Sequence, residues 1–304
     1  MNKAHLYNEF IKIMNKDNVL IDEPMKNHTS FKIGGPADIF LIPQTIDEVQ
    51  AVIKICNQND VSVFILGNGS NLLVSDKGMR TVVLKIGDNL NQVTFDGTKV
   101  TAEAGILLSR LSKRILKNNL TGFEFADGIP GSLGGAVTMN AGAYGGEMKD
   151  VVWSCKAVTQ KGEMIELSKE QLDLGYRTST IQKNNYIVLE VTLDLQVGTY
   201  EEIKSKINEL TEKRTTKQPL NLPSAGSVFK RPPGFYAGKL IEDSNLKGYQ
   251  IGGAQVSELH AGFIVNKGGA TAEDVTNLIK HIQNTVKKNF GVLLETEVKM
   301  IGEA

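Results

Sequence analysis

The sequence contains few of the residues that form disulfide frameworks or metal sites. Its 304 residues include two cysteines, Cys56 and Cys155, which are too few for a disulfide framework and are expected to be small buried side chains. The four histidines are scattered, without a second histidine or a cysteine at ligand spacing, so we expect no metal site. No apolar run approaches the roughly 20 residues of a membrane-spanning helix, and residues 1–14 lack the pattern of a secretory signal. These features predict a cytoplasmic protein without a membrane partner.

The sequence also lacks an excess of charge of either sign. Lys and Arg total 34, Asp and Glu total 34, and the formal net charge is zero. A nucleic-acid-binding protein usually carries a basic surface, so this balance argues against DNA or RNA as a partner. We therefore expect a small-molecule substrate, which a few local cations could hold if it is anionic, and no obligate protein partner is evident.

Glycine is plentiful, with 30 residues, and it is clustered. The first cluster is GNGSN at residues 67–71, directly after the apolar strand predicted at residues 61–66. Glycines let backbone N–H groups approach an anion, and the Ser and Asn side chains add hydrogen-bond donors. Leu72 stands where a dinucleotide-binding fingerprint of the Rossmann type needs its third glycine. This segment is therefore either a tight turn or a phosphate-binding loop.

The second cluster lies within residues 126–146, ADGIPGSLGGAVTMNAGAYGG. Pro130 stands where a helix would begin, and small residues follow it, so that backbone N–H groups could contact a phosphate. The alternative is that the small residues allow a helix to pack closely against a sheet. Two such clusters in one chain favour a dinucleotide over a single phosphate.

The periodicity of apolar residues predicts an alternation of helices and strands. A capping box of Thr45 and Glu48 predicts a helix, and the strands before and after it suggest a βαβ-like unit. Further strands are predicted at residues 81–86 and 99–104, with a helix at 107–119 and an antiparallel sheet within residues 151–195. A charged helix at residues 201–217 is a plausible domain junction. After a loop at 218–238 come short strands near residues 262–266, a helix capped by Thr271 and Asp274, and a strand at 296–301.

Three sequence blocks, in this order, carry a family resemblance: IGGPADIFLIP, LGNGSNLLVSDKG and GIPGSLGGAVTMNAGAYG. Together they resemble the FAD-binding domain of UDP-N-acetylenolpyruvoylglucosamine reductases. The resemblance implies an α+β protein, with a vanillyl-alcohol-oxidase-like (PCMH-type) FAD-binding domain of two α+β subdomains and a smaller C-terminal α+β substrate domain. We expect these domains at residues 1–200, with subdomains of about 1–88 and 89–200, and at residues 201–304.

The same resemblance implies FAD as the cofactor and NADPH as the reductant. Reductases of this family transfer hydride from NADPH to the flavin and then to the enolpyruvyl methylene carbon of a UDP-amino sugar, a step in cell-wall precursor synthesis. The residues implied to bind FAD are Ser30, Gly67, Asn68, Gly69, Ser70, Asn71, Gly128, Pro130, Gly131, Ser132, Gly134, Gly135, Asn140, Ala141 and Gly142.

Three further segments resemble the family's catalytic motifs. Arg177, in LGYR, matches the active-site arginine, and Ser227, in AGSVFK, matches the serine that donates a proton. Glu297, in LETEV, matches the active-site glutamate, with Glu295 as a rival for that role. Without the resemblance, these would be a surface arginine, a turn serine and a solvated charge at the end of a strand.

The substrate's diphosphate and carboxylate need cations and hydrogen-bond donors. Lys217 matches a substrate-contacting lysine of the family, and Lys230, Gln255 and Asn266 are further candidates. The short run of residues 229–255 leaves little room for the tyrosine-bearing loop of some members and so indicates the compact branch. The alternatives to this reductase are a flavin oxidase of the same fold and a non-catalytic nucleotide-binding module.

Overall fold

The structure is a computed structural model that describes residues 1–303. Short 3₁₀ helices occur at Lys16–Asn18, Met25–Asn27 and Glu124–Ala126. The α-helices are α1 (Lys3–Phe10), α2 (Ile46–Gln58), α3 (Leu108–Lys117), α4 (Leu133–Thr138), α5 (Met148–Val151), α6 (Lys169–Leu172), α7 (Thr180–Asn184), α8 (Tyr200–Lys217), α9 (Ala237–Asp243) and α10 (Ala272–Phe290).

The strands are short, with two to eight residues each. They are β1 (Val19–Pro24), β2 (Pro36–Leu41), β3 (Val63–Leu66), β4 (Leu72–Val74), β5 (Met79–Lys85), β6 (Val93–Asp96), β7 (Lys99–Glu103), β8 (Leu120–Thr121), β9 (Gly142–Ala143), β10 (Gly146–Glu147), β11 (Val152–Val158), β12 (Met164–Ser168), β13 (Ile187–Asp194), β14 (Gln196–Val197), β15 (Ser224–Ser227), β16 (Gln250–Ile251), β17 (Ala254–Val256), β18 (Phe263–Asn266) and β19 (Lys299–Ile301).

The chain divides into two compact units, each made of segments that are separate in the sequence. Unit 1 comprises Met1–Ile21, Ile39–Asn68 and Thr81–Arg214. Unit 2 comprises Asp22–Asp38, Gly69–Arg80 and residues 215–303. The domains expected from the sequence are continuous segments, and their boundaries stay a prediction.

Unit 1 is built on a five-stranded antiparallel sheet in the order β12-β11-β13-β7-β6. Its central strand β13 is buried along most of its length, because apolar side chains on both faces pack into the core. The predicted antiparallel sheet is thereby confirmed. A second sheet has the order β1-β2-β5-β3, in which β3 and β5 are parallel, so β5 lies between the two strands of the predicted βαβ-like unit.

Helix α2 packs its buried residues Val49, Val52, Ile53 and Cys56 into the core of unit 1. Thr45 Oγ1 accepts a hydrogen bond from the Glu48 N–H at 3.2 Å, as the capping box requires. The Glu48 carboxylate, however, accepts from the N–H of Gln44 at 2.6 Å instead of from Thr45. The helix start is confirmed, and the second half of the capping box is displaced by one residue.

Unit 2 contains a four-stranded sheet in the order β15-β18-β17-β16 and a separate parallel pair of β4 and β19. The long helix α10 buries Val275, Leu278, Ile279, Ile282 and Val286 against the apolar core of this unit. The capping box of Thr271 and Asp274 is confirmed, since each side chain accepts from the other residue's N–H. Within residues 1–303, none of the helices combines the length and apolar character needed to span a bilayer.

Several elements in the C-terminal third of the chain were not predicted from the sequence. The predicted loop at residues 218–238 contains β15 and the start of α9, and the strands β16 and β17 were not anticipated. The last strand begins at Lys299, so its prediction is wrong for residues 296–298. The pairing with β4 starts only at Lys299, and the N–H of Glu297 donates to the carbonyl of Val228 instead.

Candidate functional site

The glycine clusters meet in unit 1, where Gly67 and Asn68 lie against residues 130–132. The Asn68 amide donates a hydrogen bond to the carbonyl of Pro130 at 2.7 Å. A Cβ atom at residue 67 would lie 2.7 Å from the hydroxyl of Ser132, closer than real Cβ atoms come to an oxygen. Glycine at position 67 therefore leaves the room that the Ser132 hydroxyl occupies. The structure joins residues of both clusters into one group of polar and backbone atoms.

Helix α4 begins within the second cluster, and two of its first N–H groups are already used by the protein. Leu133 donates to the carbonyl of Ile106 at 2.9 Å, and Gly134 donates to that of Ala104 at 2.8 Å. A Cβ at Gly134 would lie 2.8 Å from the Cβ of Ala104, so this glycine allows close packing against the sheet. A Cβ at Gly135 would meet only the Ser132 hydroxyl, at 3.5 Å. Of the two, Gly135 has the more open surface, and both stay predicted FAD contacts.

Asn140 is buried, with an exposed fraction of 1%, and its amide is fully hydrogen bonded within unit 1. It donates at 2.9 Å to the Glu147 carboxylate and at 2.9 Å to the carbonyl of Gly175. Its oxygen accepts from the N–H of Lys149 at 2.9 Å. Asn140 thus joins the second glycine cluster to the turn that carries Arg177, and the neighbouring Ala141 and Gly142 continue the backbone into β9.

Arg177 stands at a tight turn closed by Gly175 and Thr178. Gly175 donates to the Thr178 carbonyl at 3.1 Å, and Thr178 donates back at 3.3 Å. Arg177 has a left-handed backbone with φ of +57°, which is uncommon for a residue other than glycine. The pKa of the nearby Glu147 carboxyl is lowered chiefly by its hydrogen bond to Lys149, with smaller effects of Asn140 and of the Arg177 charge. The backbone around Arg177 is therefore held in place by the hydrogen bonds between Gly175 and Thr178 and by the contact of Asn140 with Gly175.

In unit 2, the continuation of the first cluster is held by its backbone. Gly69 has φ of +65°, and a Cβ there would lie 2.0 Å from the carbonyl oxygen of His28. The Gly69 carbonyl accepts from the N–H of Ser30 at 3.1 Å. Ser70 is half-buried, and the next residue, Asn71, donates through its amide to the carbonyl of Glu297 at 3.1 Å. The loop is thereby attached to the segment that carries the predicted glutamate.

Ser227 and Glu297 are brought together in unit 2. Strand β15 pairs Ser224 with Val265 and Ser227 with Phe263, so it contains one extra residue, a β-bulge. Gly226, with φ of +76°, forms part of the bulge and leaves Ser227 exposed. The Glu297 N–H donates to the carbonyl of Val228, the residue after Ser227, at 2.7 Å.

The rival carboxylate, Glu295, lies in a different environment. Its side chain is 73% exposed and forms an ion pair with Lys230, at 2.5 Å between Nζ and Oε1. The Lys230 N–H also donates to the Glu295 carbonyl at 2.8 Å. Glu297 is half-buried next to the bulge, whereas Glu295 points to solvent with a lysine partner. This contrast favours Glu297 as the active-site carboxylate.

The four predicted substrate residues are spread over unit 2. Lys217 is exposed at the end of α8. The Gln255 amide donates to the Gly248 carbonyl at 3.2 Å, within the hairpin of β16 and β17. Asn266 is 7% exposed, donates to the Phe31 carbonyl at 3.1 Å and accepts from the N–H groups of Gly268 and Ala270. The structure gives Gln255 a contact within its own hairpin region and gives Asn266 contacts both with its own loop and with residue 31, and the contact of either with substrate stays a prediction.

Sequence reasoning missed two residues of unit 1 that lie at the second glycine cluster. Arg214, near the end of α8, contacts Gly128, and the carboxylate oxygen Oδ1 of Asp127 is buried without a hydrogen-bond partner among residues 1–303. Asp127 lies within the second glycine cluster, but a carboxylate beside a glycine carries no local signal for burial. Arg214 is hidden in the charged helix, where nothing in the pattern distinguishes it from the lysines around it.

Comparison with known proteins shows two family matches along the chain. Residues 37–168 match the family described as FAD binding domain, and residues 218–301 match the C-terminal domain of UDP-N-acetylenolpyruvoylglucosamine reductase. Over 303 residues, the chain is 61% identical to the UDP-N-acetylenolpyruvoylglucosamine reductase of Alkaliphilus metalliredigens, and the match covers 100% of both chains.

Two solved structures extend the comparison to three dimensions. The crystal structure of UDP-N-acetylenolpyruvylglucosamine reductase from Thermus caldophilus has a TM-score of 0.80 and 34% identity, and the match covers 93% of this chain and 99% of that one. An alkyldihydroxyacetonephosphate synthase has a TM-score of 0.51 at 18% identity, over 64% of this chain and 40% of that one, which shows a shared fold alone. The predicted α+β fold with a PCMH-type FAD-binding domain is confirmed.

Proposed function

The chain belongs to the family of UDP-N-acetylenolpyruvoylglucosamine reductases, and from this membership we propose which of its residues bind the cofactor, hold the substrate and move the proton. The protein is an FAD-dependent oxidoreductase that reduces UDP-N-acetylenolpyruvoylglucosamine in the synthesis of peptidoglycan precursor. The observation that carries this function is the 61% identity over the whole of both chains, which spans every residue considered below.

The residues of the glycine clusters fit a dinucleotide. The group around Gly67, Asn68 and Ser132 combines glycine backbone with a hydroxyl and an amide. We propose that this group, with Gly135 and the remaining predicted glycines, holds FAD. When bound, FAD supplies hydride transfer to the substrate, and we propose NADPH as the reductant that precedes it.

Arg177 is proposed to bind the carboxylate of the enolpyruvyl group. A guanidinium stays charged and can donate two parallel hydrogen bonds to a carboxylate, so it would stabilise the negative charge that develops during reduction. Support comes from its position at the turn closed by Gly175 and Thr178, whose Gly175 carbonyl is held by Asn140. Asn140 would therefore act as a positioning residue for Arg177.

Ser227 is proposed to donate the proton to the carbon that bears the carboxylate. A serine hydroxyl is a weak acid, so the transfer requires a second group that replaces its proton or stabilises the alkoxide. Glu297 is proposed as that group, because the backbone contact between Glu297 and Val228 keeps the two residues near each other. The β-bulge at Gly226 supports this role, since bulges often re-aim side chains beside active sites.

Lys217 is proposed to bind the anionic part of the substrate, because its ammonium group is exposed at the end of α8. Lys230 is the weaker candidate, since Glu295 already neutralises part of its charge. We further infer that the protein acts in the cytoplasm on small molecules, without an obligate protein partner. The two buried cysteines, both free, agree with a reducing compartment.

The proposal is tested by separating the two halves of the reaction in the Ser227→Ala variant. Under anaerobic conditions, NADPH should bleach the flavin absorbance at the wild-type rate, because Ser227 takes no part in that step. Recovery of the absorbance on addition of UDP-N-acetylglucosamine enolpyruvate should slow by about 10²- to 10⁴-fold, the usual effect of losing a general acid. Stopped-flow absorbance measures both rates.

Ser224→Ala is the matched control, because Ser224 lies at the other end of β15 and should leave both rates unchanged. Glu297→Gln and Arg177→Gln should, like Ser227→Ala, slow only the step with substrate. An equal loss in both half-reactions of Ser227→Ala would contradict the role of Ser227 as proton donor.

A further inference from the structure

Arg214 lies against the second glycine cluster of unit 1. A Cβ at Gly128 would lie 2.9 Å from Arg214 Cδ, 3.7 Å from Nε and 3.9 Å from Nη1. The Arg214 side chain therefore lies next to the backbone of residue 128, within van der Waals distance of the segment proposed to hold FAD. Glycine at this position leaves the space that the arginine side chain occupies.

This arginine is half-buried without an anionic partner. Arg110 pairs with Asp88 at 3.3 Å and Arg80 with Asp38 at 2.6 Å, but the side chain of Arg214 forms no hydrogen bond or ion pair with any of residues 1–303. Burial lowers the pKa of Arg214, which is only partly opposed by Tyr144. A guanidinium keeps its charge under physiological conditions, so its loss of hydration is uncompensated within the chain.

Asp127, the residue before Gly128, is also incompletely bonded. Its Oδ1 atom is buried and accepts no hydrogen bond within the described part of the chain. Asp127 and Arg214 do not form an ion pair, although both border Gly128. One unpaired cation and one unpaired acceptor at a single glycine fit a ligand that offers both phosphate oxygens and donor groups, as a dinucleotide does.

We propose that Arg214 binds a phosphate of FAD and that Asp127 accepts a hydrogen bond from a hydroxyl or N–H group of the same cofactor. This inference rests on the FAD site proposed above and adds two side chains to it. FAD is favoured over the UDP-sugar, because Gly128 lies in the same short segment as Pro130 and Ser132, which contact Gly67 and Asn68.

The test measures flavin affinity of the full-length apoprotein, from which FAD has been removed. FAD and riboflavin, which lacks phosphate, are titrated while flavin fluorescence is followed. Arg214→Met should weaken FAD binding by about 10- to 100-fold, the effect of losing a charge-assisted hydrogen bond, and should leave riboflavin affinity unchanged. Arg214→Lys should give an intermediate loss, because the charge remains but the planar donor group does not.

Lys206→Gln is the matched control, since it removes an exposed cation of α8 that is paired with Glu209, and its FAD affinity should stay within about two-fold of wild type. Thermal unfolding of the apoproteins separates binding from folding. Arg214→Met leaves no partner unpaired, so the variant apoprotein should be at least as stable as wild type.

Unchanged FAD affinity in Arg214→Met, or an equal weakening of FAD and riboflavin, would overturn the assignment of Arg214. Loss of FAD binding caused by an unfolded apoprotein would overturn it as well, because Arg214 would then be structural. If wild-type apoprotein does not bind FAD at all, the failure lies with the proposed FAD site itself.

Discussion

Two polar side chains predicted to contact FAD, Asn140 and Asn71, are hydrogen bonded within the chain, and their contact with FAD stays a prediction. Asn140 uses its amide on Glu147, Gly175 and Lys149, and Asn71 uses its amide on the Glu297 carbonyl. Buried amides rarely remain unpaired, because an unmade hydrogen bond in the interior costs about 1–3 kcal/mol. Both residues therefore support the backbone next to a predicted catalytic side chain, Arg177 or Glu297.

At the same scale, His260 of unit 2 makes stability depend on pH. Its Nδ1 accepts from the Gly262 N–H at 3.1 Å, and its ring meets Phe263 edge-on at 4.9 Å between centroids. Burial is the largest cause that lowers the pKa of His260 below its usual 6.5, and the charge of Lys247 adds to it, while a backbone hydrogen bond and the charge of Glu242 oppose it. The unfolded chain therefore binds a proton more readily than the folded one. Stability should be complete above about pH 6.5 and fall as the pH drops through the folded-state pKa.

His260→Asn should remove this part of the pH dependence, because the Asn oxygen can still accept from Gly262 but does not titrate. Urea unfolding at pH 7.5 and pH 5.0 measures the effect, and the wild type should lose more free energy of unfolding than the variant. For each protein, the free energy of unfolding at pH 5.0 is compared with that of the same protein at pH 7.5. Parallel losses in the two proteins would show that His260 is protonated equally in the folded and unfolded states.

At the scale of elements, helix α10 receives side-chain acceptors for each N–H group of its first turn. The Asp76 carboxylate accepts from Ala272 at 2.9 Å and from Glu273 at 3.1 Å, and the capping box satisfies Thr271 and Asp274. A negative charge at this end also interacts favourably with the helix dipole. Asp76 belongs to the sequence block LGNGSNLLVSDKG, which resembles part of an FAD-binding domain. Its side-chain contacts in the structure nevertheless stabilise the start of α10.

Asp76→Ala should lower the free energy of unfolding by about 1–3 kcal/mol, because the N–H of the buried Ala272 loses its acceptor. Asp76→Asn, which keeps one oxygen, should lose roughly half of that. Urea unfolding followed by circular dichroism measures both. Asp96→Ala removes an exposed carboxylate from β6 and should change stability little. Equal stability of Asp76→Ala and wild type would show that solvent replaces the carboxylate at the helix end.

At the scale of the whole molecule, the reactivity of the two cysteine thiols measures how often the core of unit 1 opens. Cys56 and Cys155 belong to its apolar cluster, and burial raises the pKa of each to about 12. The thiolate is the reactive form, so a thiol reagent should label them only when the unit opens. The sequence contains no other cysteine.

FAD should protect both thiols, because a ligand that binds only the folded state stabilises it by mass action. At 100 times its dissociation constant, FAD adds about 2.7 kcal/mol and should slow labelling by about 100-fold. Absorbance of the released thiol-reagent product gives the rate, and glutathione labelled under the same conditions is the control. Labelling that is insensitive to FAD would show that these cysteines react through a local opening away from the FAD site.

Patterns within short stretches of sequence determined much of this protein. The capping box predicted the start of α10, alternation predicted the antiparallel sheet around β13, and the ordered glycine blocks indicated the FAD-binding fold. These features follow from local chemistry: caps act within one turn, strand faces repeat every two residues, and glycine permits close backbone approach. The full-length identity also disfavours a flavin oxidase or a non-catalytic module.

Only the tertiary structure decided which polar groups satisfy one another. The two units each combine segments far apart in the sequence, so Asp76 caps α10, Asn71 holds the Glu297 backbone, and Arg214 reaches Gly128. None of these contacts follows a periodic pattern, because hydrogen bonds and ion pairs depend on distances that chain folding sets. Whether a glycine serves packing, as Gly134 does, or leaves backbone open, as at Gly135, depends for the same reason on the neighbours that the fold places opposite it.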